Sequence, residues 1–265
     1  MDIEGNIRKT VPERRNVYIA PGIEMVYTFY TFKKYKYQDR RLPMFKFWGD
    51  GSQEAKDLVD AIVVRSTDNF NWTFIFILAV VFYVYWTEIR NKNFKAVYAG
   101  LALYGVHWLY EICNAIIAYI WGYPLWSVSN SSTTFILLIG VCWELSMMFS
   151  LAGIISYKML PDDTETRYFA KNGKKGVSCK LAGALGMALL FGLFESFLAG
   201  TDNNSFIWVY KWWGVLPVFV TTYIPFFLAS NFVPDMKPKK RRAFLIGLWG
   251  LVAVLLIVLI PLGII

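Results

Sequence analysis

Six stretches of the chain are apolar over lengths that suit the hydrocarbon core of a bilayer, which an α-helix crosses in about 20 residues. They occupy residues 72–86, 94–120, 133–157, 177–198, 206–232 and 243–265. Within lipid the backbone N–H and C=O groups have no water to bind, so a spanning segment must satisfy them internally. The pattern therefore predicts an all-α, polytopic membrane bundle with six spanning helices.

The composition points in the same direction. Hydrophobic residues make up 56% of the chain and charged residues 17%, whereas soluble domains are nearer half apolar and a quarter charged. The net charge of +8 does not indicate a nucleic-acid partner, because the basic residues lie mainly in loops between apolar stretches. There they favour contact with anionic lipid headgroups. We therefore expect membrane lipids, and no nucleic acid, as partners.

The basic residues are shared unequally between the loops. Beyond the N-terminal region, most of them lie at residues 89–95, 158–180 and 235–242. The loops at 121–132 and 200–211 contain only Lys211. By the positive-inside rule the first three loops face the cytosol. Three Asn-x-Ser/Thr sequons fall on the other side, at Asn71, Asn130 and Asn203. Their placement favours a eukaryotic secretory membrane.

Residues 1–70 differ from the rest and are predicted to form a separate, non-spanning segment ahead of a bundle at 71–265. The apolar stretch at 17–32 is short, is interrupted by Pro21-Gly22 and contains a glutamate. A surface-lying or re-entrant segment fits it, and a seventh span is the alternative. Residues 52–66 mix apolar and charged positions in the manner of an amphipathic helix.

Cysteine and histidine are too scarce and too scattered to predict a metal centre. Cys113, Cys142 and Cys179 are isolated from one another, and His107 is the only histidine. Zinc and iron–sulfur sites need clusters of such ligands. The sequence therefore predicts no metal and no other cofactor.

The second apolar stretch carries a stripe of polar side chains. In an α-helix Tyr104, His107, Glu111 and Asn114 fall on one face. An ionisable group at bilayer depth costs roughly 2.5–3.5 kcal/mol on insertion scales. The stripe is therefore predicted to face the interior of the bundle. Within the bundle it forms either a functional site or a hydrogen-bond network with no catalytic role.

Two further spans each contain one glutamate. Glu144 falls near the middle of the third predicted span beside Trp143, and Glu195 falls in the fourth. We expect these groups to converge with the stripe on one pocket, with Glu111 and Glu144 lining a common cavity. Lys211 opens the fifth span at the level of Glu195, so an ion pair between these two is the simpler interpretation of both.

This arrangement predicts a chemistry that needs no metal. A glutamate buried without a cation partner favours its protonated form, and such an acid can donate a proton to an olefin or an epoxide. Tyrosine and tryptophan rings can then stabilise the resulting cation. The predicted catalytic residues are Glu111, Glu144 and His107. The predicted substrate-binding residues are Tyr104, Trp108, Asn114, Trp143 and Glu195.

The segment 102–118 resembles the second span of the small integral-membrane terpene cyclases of fungal meroterpenoid pathways. Their pattern there is roughly Asn-x-x-Trp-Glu, and the letters in this chain are His107, Trp108, Leu109, Tyr110 and Glu111. Glu111 matches, while His107 and Tyr110 replace the expected Asn and Trp. The resemblance implies a metal-free cyclase of similar size in which Glu111 is the acid. The last helix lacks the second acid of that family.

Three functions fit the sequence. The first is a membrane enzyme that acts on an isoprenoid or other lipid by proton donation from a buried carboxylic acid. The second is an ion- or proton-coupled transporter or channel whose intramembrane glutamates bind a cation. The third is a non-catalytic subunit of a larger membrane complex. The expected partner is accordingly a hydrophobic small molecule or other membrane subunits.

Overall fold

A computed structural model describes residues 45–49, 51–66, 72–129, 133, 135–170, 176–200 and 206–265. All of them belong to one compact unit, Pro43–Ile265. The predicted interfacial segment at 17–32 lies outside the described residues. So do the asparagines of the three sequons, Asn71, Asn130 and Asn203.

The described residues of this unit form seven helices and six short strands. The helices are α1 Gln53–Asp60, α2 Thr73–Arg90, α3 Phe94–Trp121, α4 Trp143–Lys158, α5 Cys179–Ala199, α6 Val215–Asp235 and α7 Pro238–Leu259. The strands are β1 Trp126–Val128, β2 Ile136–Leu138, β3 Val141–Cys142, β4 Arg167–Tyr168, β5 Val177–Ser178 and β6 Phe206–Trp208. The pairs β1–β6, β2–β3 and β4–β5 each form a two-stranded sheet. The predicted all-α bundle is confirmed.

Five helices, α2, α3, α5, α6 and α7, are long and apolar enough to cross a membrane. The third and fifth predicted spans differ from their predicted bounds. Helix α4 begins only at Trp143 and has 16 residues, because the stretch before it forms the β2–β3 hairpin. Helix α6 begins at Val215, because the stretch before it contains β6. Both stretches are rich in β-branched and aromatic residues, which suit a pleated surface.

Helix α3 is the centre of the bundle and contacts α2, α4, α6 and α7. Its closest approach is to α4, where small residues meet. A methyl group on Gly153 would lie 2.6 Å from the carbonyl oxygen of Ala99 and 2.9 Å from Cα of Gly100. Two helix backbones can approach this closely only where side chains are minimal. This contact sets the separation of the polar stripe on α3 from α4.

The two antiparallel pairs β1–β6 and β2–β3 cover one end of the bundle, and we call them the cap. In β1–β6, Trp126 lies opposite Trp208. The β2–β3 hairpin is joined to β1 by the hydroxyl of Ser127, which donates to the carbonyl of Ile139 at 2.8 Å. Helix α1 packs Ala55 and Val59 against the outer side of β6. The cap thus closes the end of the bundle where α3 and α5 finish.

The described part of the predicted segment 1–70 packs directly on the bundle. The backbone of Gly49 donates to the carbonyl of Trp213 at 2.7 Å, and that of Val215 donates to Phe47 at 3.0 Å. The hydroxyl of Ser196 on α5 donates to the carbonyl of Lys46 at 2.7 Å. The predicted amphipathic helix is present as α1. Residues 45–66 therefore buttress the cap.

The opposite end, which we call the basic end, is held by ion pairs between helices. Asp235 at the end of α6 lies 2.7 Å from Nζ of Lys95 on α3 and 2.9 Å from Nζ of Lys180 on α5. Glu88 on α2 pairs with Lys158 on α4. Lys180 is almost fully buried, so its charge depends on Asp235 and on Glu165, which lies 2.9 Å from the same Nζ. The pairs connect five helices across the basic end.

The replacement Asp235→Asn is expected to destabilise the protein by about 2–4 kcal/mol, because it leaves Lys180 buried with weaker compensation. Thermal or denaturant unfolding in detergent measures the effect. Asp162→Asn is the matched control, since Asp162 is exposed at the same end. Equal midpoints for the two variants would contradict this account of the basic end.

Candidate functional site

The polar stripe on α3 faces the interior of the bundle, as predicted. His107 and Asn114 are 0% exposed and Glu111 is 4% exposed. The ring of His107 stacks on that of Phe149 of α4, with 4.2 Å between centroids. Tyr104 bonds the hydroxyl of Ser146 on α4 at 3.0 Å. The stripe thus lies along the α3–α4 contact.

Asn114 ties the end of α3 to the cap. Its side-chain oxygen accepts the backbone N–H of Leu125 at 2.8 Å, and its amide nitrogen donates to the carbonyl of Trp126 at 2.8 Å. These bonds use both ends of the amide and fix the start of β1. In the structure Asn114 positions Trp126, although the sequence suggested that it binds substrate.

Glu111 is held by the side chain that Asn114 positions. The indole N–H of Trp126 donates to both carboxyl oxygens of Glu111, at 3.2 Å each. Nε2 of His107 lies 3.4 Å from Oε1 of Glu111, and neither ring nitrogen of His107 has a hydrogen-bond partner among the described residues. Gly140, in the β2–β3 turn, packs closely against the carboxyl group of Glu111. A methyl group there would lie 2.5 Å from Oε2 of Glu111.

Glu195 on α5 is held in a similar way by the other strand of the cap. It accepts the indole N–H of Trp208 at 2.7 Å and the hydroxyl of Tyr223 on α6 at 2.5 Å. The predicted ion pair with Lys211 is wrong: Lys211 is exposed, and the two residues, both described, form no ion pair. Strand β6 is the reason, because it turns the chain so that Trp208 rather than Lys211 faces Glu195.

The two tryptophan–glutamate pairs are related by the register of the β1–β6 ribbon. Trp126 and Trp208 are directly opposed across the antiparallel pair, so their side chains leave the ribbon on the same face. Each indole reaches one carboxyl group, Trp126 that of Glu111 and Trp208 that of Glu195. A single short ribbon therefore brings one acid of α3 and one of α5 to the same place.

Both carboxyl groups line one cavity between α4, α5 and α6. The space that the centre of a water molecule can occupy is about 50 Å³. The walls are largely aromatic, with the rings of Phe149, Phe191, Phe194, Phe206, Tyr223 and Phe226. Lining residues of the cap and of α6 are buried, whereas Met148 on α4 and Phe194 on α5 are 47% and 50% exposed. The cavity therefore opens sideways, between α4 and α5, toward the lipid-facing surface of the bundle.

Helix α6 contributes two adjacent polar residues to this cavity. Thr222 and Tyr223 both line it, which is possible because residues Val218–Tyr223 form a π-helix. Segments of this kind are frequent at functional sites. The hydroxyl of Thr222 is buried and has no partner among the described residues. Neither Thr222 nor Tyr223 was predicted from the sequence. Trp126 and Trp208 were not predicted either, since tryptophans near span ends are equally typical of the membrane interface.

Glu144 does not line this cavity, so the prediction that it shares one with Glu111 is wrong. It lies in the first turn of α4 rather than near the middle of a span, because β3 and not helix precedes it. It is half-buried, and it accepts the hydroxyl of Thr133 at 2.6 Å. Glu195 takes the position beside Glu111 that the sequence analysis assigned to Glu144.

The other predicted site residues lie outside the cavity as well. The ring of Trp143 packs on Phe74 of α2, with 5.4 Å between centroids. Trp108 contacts Tyr104 edge-on at 6.3 Å and packs with apolar residues of α7, among them Val252. These side chains pack in helix contacts around the stripe and are not among the residues that line the cavity.

The charged side chains of the cavity wall are both acidic. Two carboxyl groups face one apolar space, and among the described residues no lysine or arginine lines it. The site therefore offers carboxyl groups that could serve as proton donors or as hydrogen-bond acceptors, without a compensating cation in the described wall.

Comparison with known proteins identifies the family of this chain. A model of an uncharacterized membrane protein family matches residues 52–261. The chain belongs to this family. An uncharacterized protein of Archaeoglobus fulgidus is 34% identical over 200 residues, which cover 74% of this chain and 91% of that protein. No solved structure matches. With the five long apolar helices, membership establishes an integral, multi-pass membrane protein.

The family match includes every residue of the site. Glu111, Trp126, Glu195, Trp208 and Thr222 all lie within the matched range. The comparisons offer no support for a eukaryotic secretory membrane.

Replacing Gly140 by alanine is expected to cost about 1–3 kcal/mol of stability, because the added methyl group overlaps Glu111 and Asn114. Gly247→Ala is the control, since a methyl group there meets no atom within 4 Å. Unfolding midpoints in detergent compare the two. If Gly140→Ala is as stable as Gly247→Ala, the close packing of the turn on Glu111 is incorrect.

Proposed function

We propose that the protein is an integral membrane enzyme that acts on an isoprenoid or other lipid by proton donation from the Glu111–Glu195 pair, without a metal. The observation that carries the proposal is the apolar cavity that opens toward lipid and holds two carboxyl groups at its inner end. An enzyme for water-soluble substrates would need an opening at an end of the bundle.

A lipid can reach the pair from the bilayer. Helices α4 and α5 scarcely touch one another, and the exposed lining residues Met148 and Phe194 lie on either side of the gap. Hydrocarbon can enter there without crossing water. Aromatic and aliphatic walls then lead inward to Glu111 and Glu195, so that the inner end of the lipid comes to rest beside the acid.

The pair can complete a proton-transfer cycle by itself. The protonated carboxyl group gives its proton to one carbon of a double bond, whose π electrons form the new C–H bond and leave a cation on the adjacent carbon. The carboxylate then removes a proton from a neighbouring carbon and restores a double bond. Between these steps the rings of Phe149, Phe226 and Tyr223 can stabilise the cation. General acid catalysis of this kind contributes about 10²–10⁴-fold.

The resemblance of the α3 segment to membrane terpene cyclases supports Glu111 as the acid. Glu195 on α5 is the natural second carboxyl group, since it faces the same cavity. His107 provides a further ionisable group 3.4 Å from Glu111, in a position to accept or return its proton. The proposal thus assigns the chemistry to α3 and α5 and the binding walls to α4 and α6.

An aromatic layer favours this function over passage of ions through the bundle. On α6, Phe226 and Phe227 lie between Tyr223 and the polar Asn231 near the basic end. Phe191 packs on Phe227 with 5.0 Å between centroids, and Phe149 packs on Phe226 with 5.6 Å. An ion path needs polar groups or water at every level. The layer separates the carboxyl pair from the polar groups of the basic end.

The replacements Glu111→Gln and Glu195→Gln are each expected to abolish turnover, by about 100-fold or more, because the amide keeps the shape and loses the transferable proton. Lipid extracts of cells that overproduce each form are compared by chromatography and mass spectrometry. An isomerised or cyclised product has the mass of its substrate and a different retention time. Glu54→Gln on the exposed face of α1 is the matched control.

The lipid profile has three informative outcomes. Loss of one lipid product in both cavity variants, with normal amounts of folded protein, agrees with the proposal. An unchanged profile in both variants would contradict catalysis. Loss of folded protein alone would instead indicate a non-catalytic subunit whose glutamates stabilise the bundle.

We further propose that the basic end faces the cytosol, by the positive-inside rule. Cysteines introduced at Phe169, which is 89% exposed at the basic end, and at Lys211, which is exposed at the cap, report the orientation. An impermeant thiol reagent applied to intact cells should label Lys211→Cys and not Phe169→Cys. The reverse pattern would overturn the orientation.

A further inference from the structure

We infer that the ligand of the cavity is a single-chain lipid alcohol whose hydroxyl group lies between Glu111, Glu195 and Thr222. The inference rests on the proposed entry of a lipid between α4 and α5, and it adds the identity of the head group. Three properties of the cavity support it: the hydrogen-bonding capacity that is left free, the charge of the walls and the width.

Thr222 marks the place of a polar ligand atom. Its hydroxyl is buried, it lines the cavity, and it has no partner among the described residues. The adjacent Thr221 is different, because it is exposed and its hydroxyl donates to the carbonyl of Pro217 at 2.7 Å. A buried hydroxyl without a partner is unfavourable. A polar atom of the ligand opposite Thr222 would remove that cost.

The two indole donors of the cap and the hydroxyl of Tyr223 are already in use. The N–H groups of Trp126 and Trp208 and the hydroxyl of Tyr223 all point to the glutamates. What is left at the cavity wall is the proton of a protonated carboxyl group, the free lone pairs of the carboxyl oxygens and the hydroxyl of Thr222. An alcohol has one donor and two acceptor positions. It can donate to the carboxylate and accept from the carboxylic acid and from Thr222.

The charge of the walls excludes the common anionic head groups. A phosphate or diphosphate would meet two carboxyl groups and, among the described lining residues, no lysine or arginine. Like charges in an apolar site repel strongly. An alkylammonium head could pair with one carboxylate, but taking both charges out of water can cost more than their attraction returns. A neutral head group meets neither obstacle.

The narrow cavity favours a lipid with a single hydrocarbon chain. The space available to the centre of a water molecule is about 50 Å³, and one water needs at least about 10–15 Å³ by the same measure. The inner cavity therefore accepts a slender group rather than a glycerol backbone with two acyl chains. A single chain that extends outward past Met148 and Phe194 fits this shape.

Photolabelling tests the head group directly and does not depend on turnover. The probe is hexadecanol that carries a diazirine near its hydroxyl end, and the protein is held in lipid nanodiscs. Labelled peptides should map to the cavity residues of α4, α5 and α6. Unlabelled hexadecanol should compete better than hexadecylamine and far better than hexadecyl phosphate. Thr222→Val should weaken competition by hexadecanol about three- to tenfold, the value of one hydrogen bond.

Thr221→Val is the matched control, because it removes a hydroxyl of the next residue outside the cavity. Thr222→Val should also fold normally, since its hydroxyl makes no bond to the described residues that could be lost. If hexadecanol competes equally well in the two variants, the ligand does not carry an alcohol head group at Thr222. Stronger competition by hexadecylamine or hexadecyl phosphate would contradict an alcohol in the same way. If hexadecane with a diazirine labels the cavity equally well, the hydroxyl group contributes nothing to binding. The proposed entry of a lipid between α4 and α5 would still hold. No cavity labelling by either probe would contradict lipid entry as well.

Discussion

Two carboxyl groups inside an apolar bundle require hydrogen-bond donors, and the indole N–H groups of Trp126 and Trp208 supply them. An unsatisfied polar group in hydrocarbon costs several kcal/mol, so Glu111 and Glu195 could not stay buried without such partners. The donors are opposed residues of one ribbon, which makes the two glutamates interdependent. The cap therefore also stabilises the buried glutamates, since the indole N–H groups of Trp126 and Trp208 belong to it.

Other contacts of the fold hold the cap and the helices in place around the two glutamates. Asn114 anchors β1 to the end of α3, and residues 45–66 buttress the ribbon from outside. The π-helix in α6 brings Tyr223 to Glu195 while Thr222 faces the same space. At the basic end, ion pairs of Asp235 and Glu88 hold the opposite ends of the helices together. Between the cap and the basic end, α4 and α5 scarcely touch one another, and this is where we propose that a lipid enters.

Helical periodicity was sufficient to predict the buried stripe of α3, because it depends only on neighbours along one helix. The sequence placed Glu144 deep in a span beside Glu111, because residues 136–142 are apolar enough to be taken for helix. They form a hairpin instead, and Glu144 lies in the first turn of α4. The tryptophan donors could not be predicted, since their role depends on the pairing of β1 with β6, which are distant in sequence. Register between distant strands leaves no local pattern that one sequence reveals.

The central claim is that Glu111 and Glu195 face one cavity and that a protonated carboxyl group of this pair is the proton donor. Infrared difference spectroscopy detects the C=O stretch of a protonated carboxyl group, which lies apart from carboxylate bands. The account predicts such a band at neutral pH in the unaltered protein. It should be changed by Glu111→Gln and by Glu195→Gln, and left unchanged by Glu144→Gln. Absence of the band at neutral pH, or a response only to Glu144→Gln, would contradict the claim.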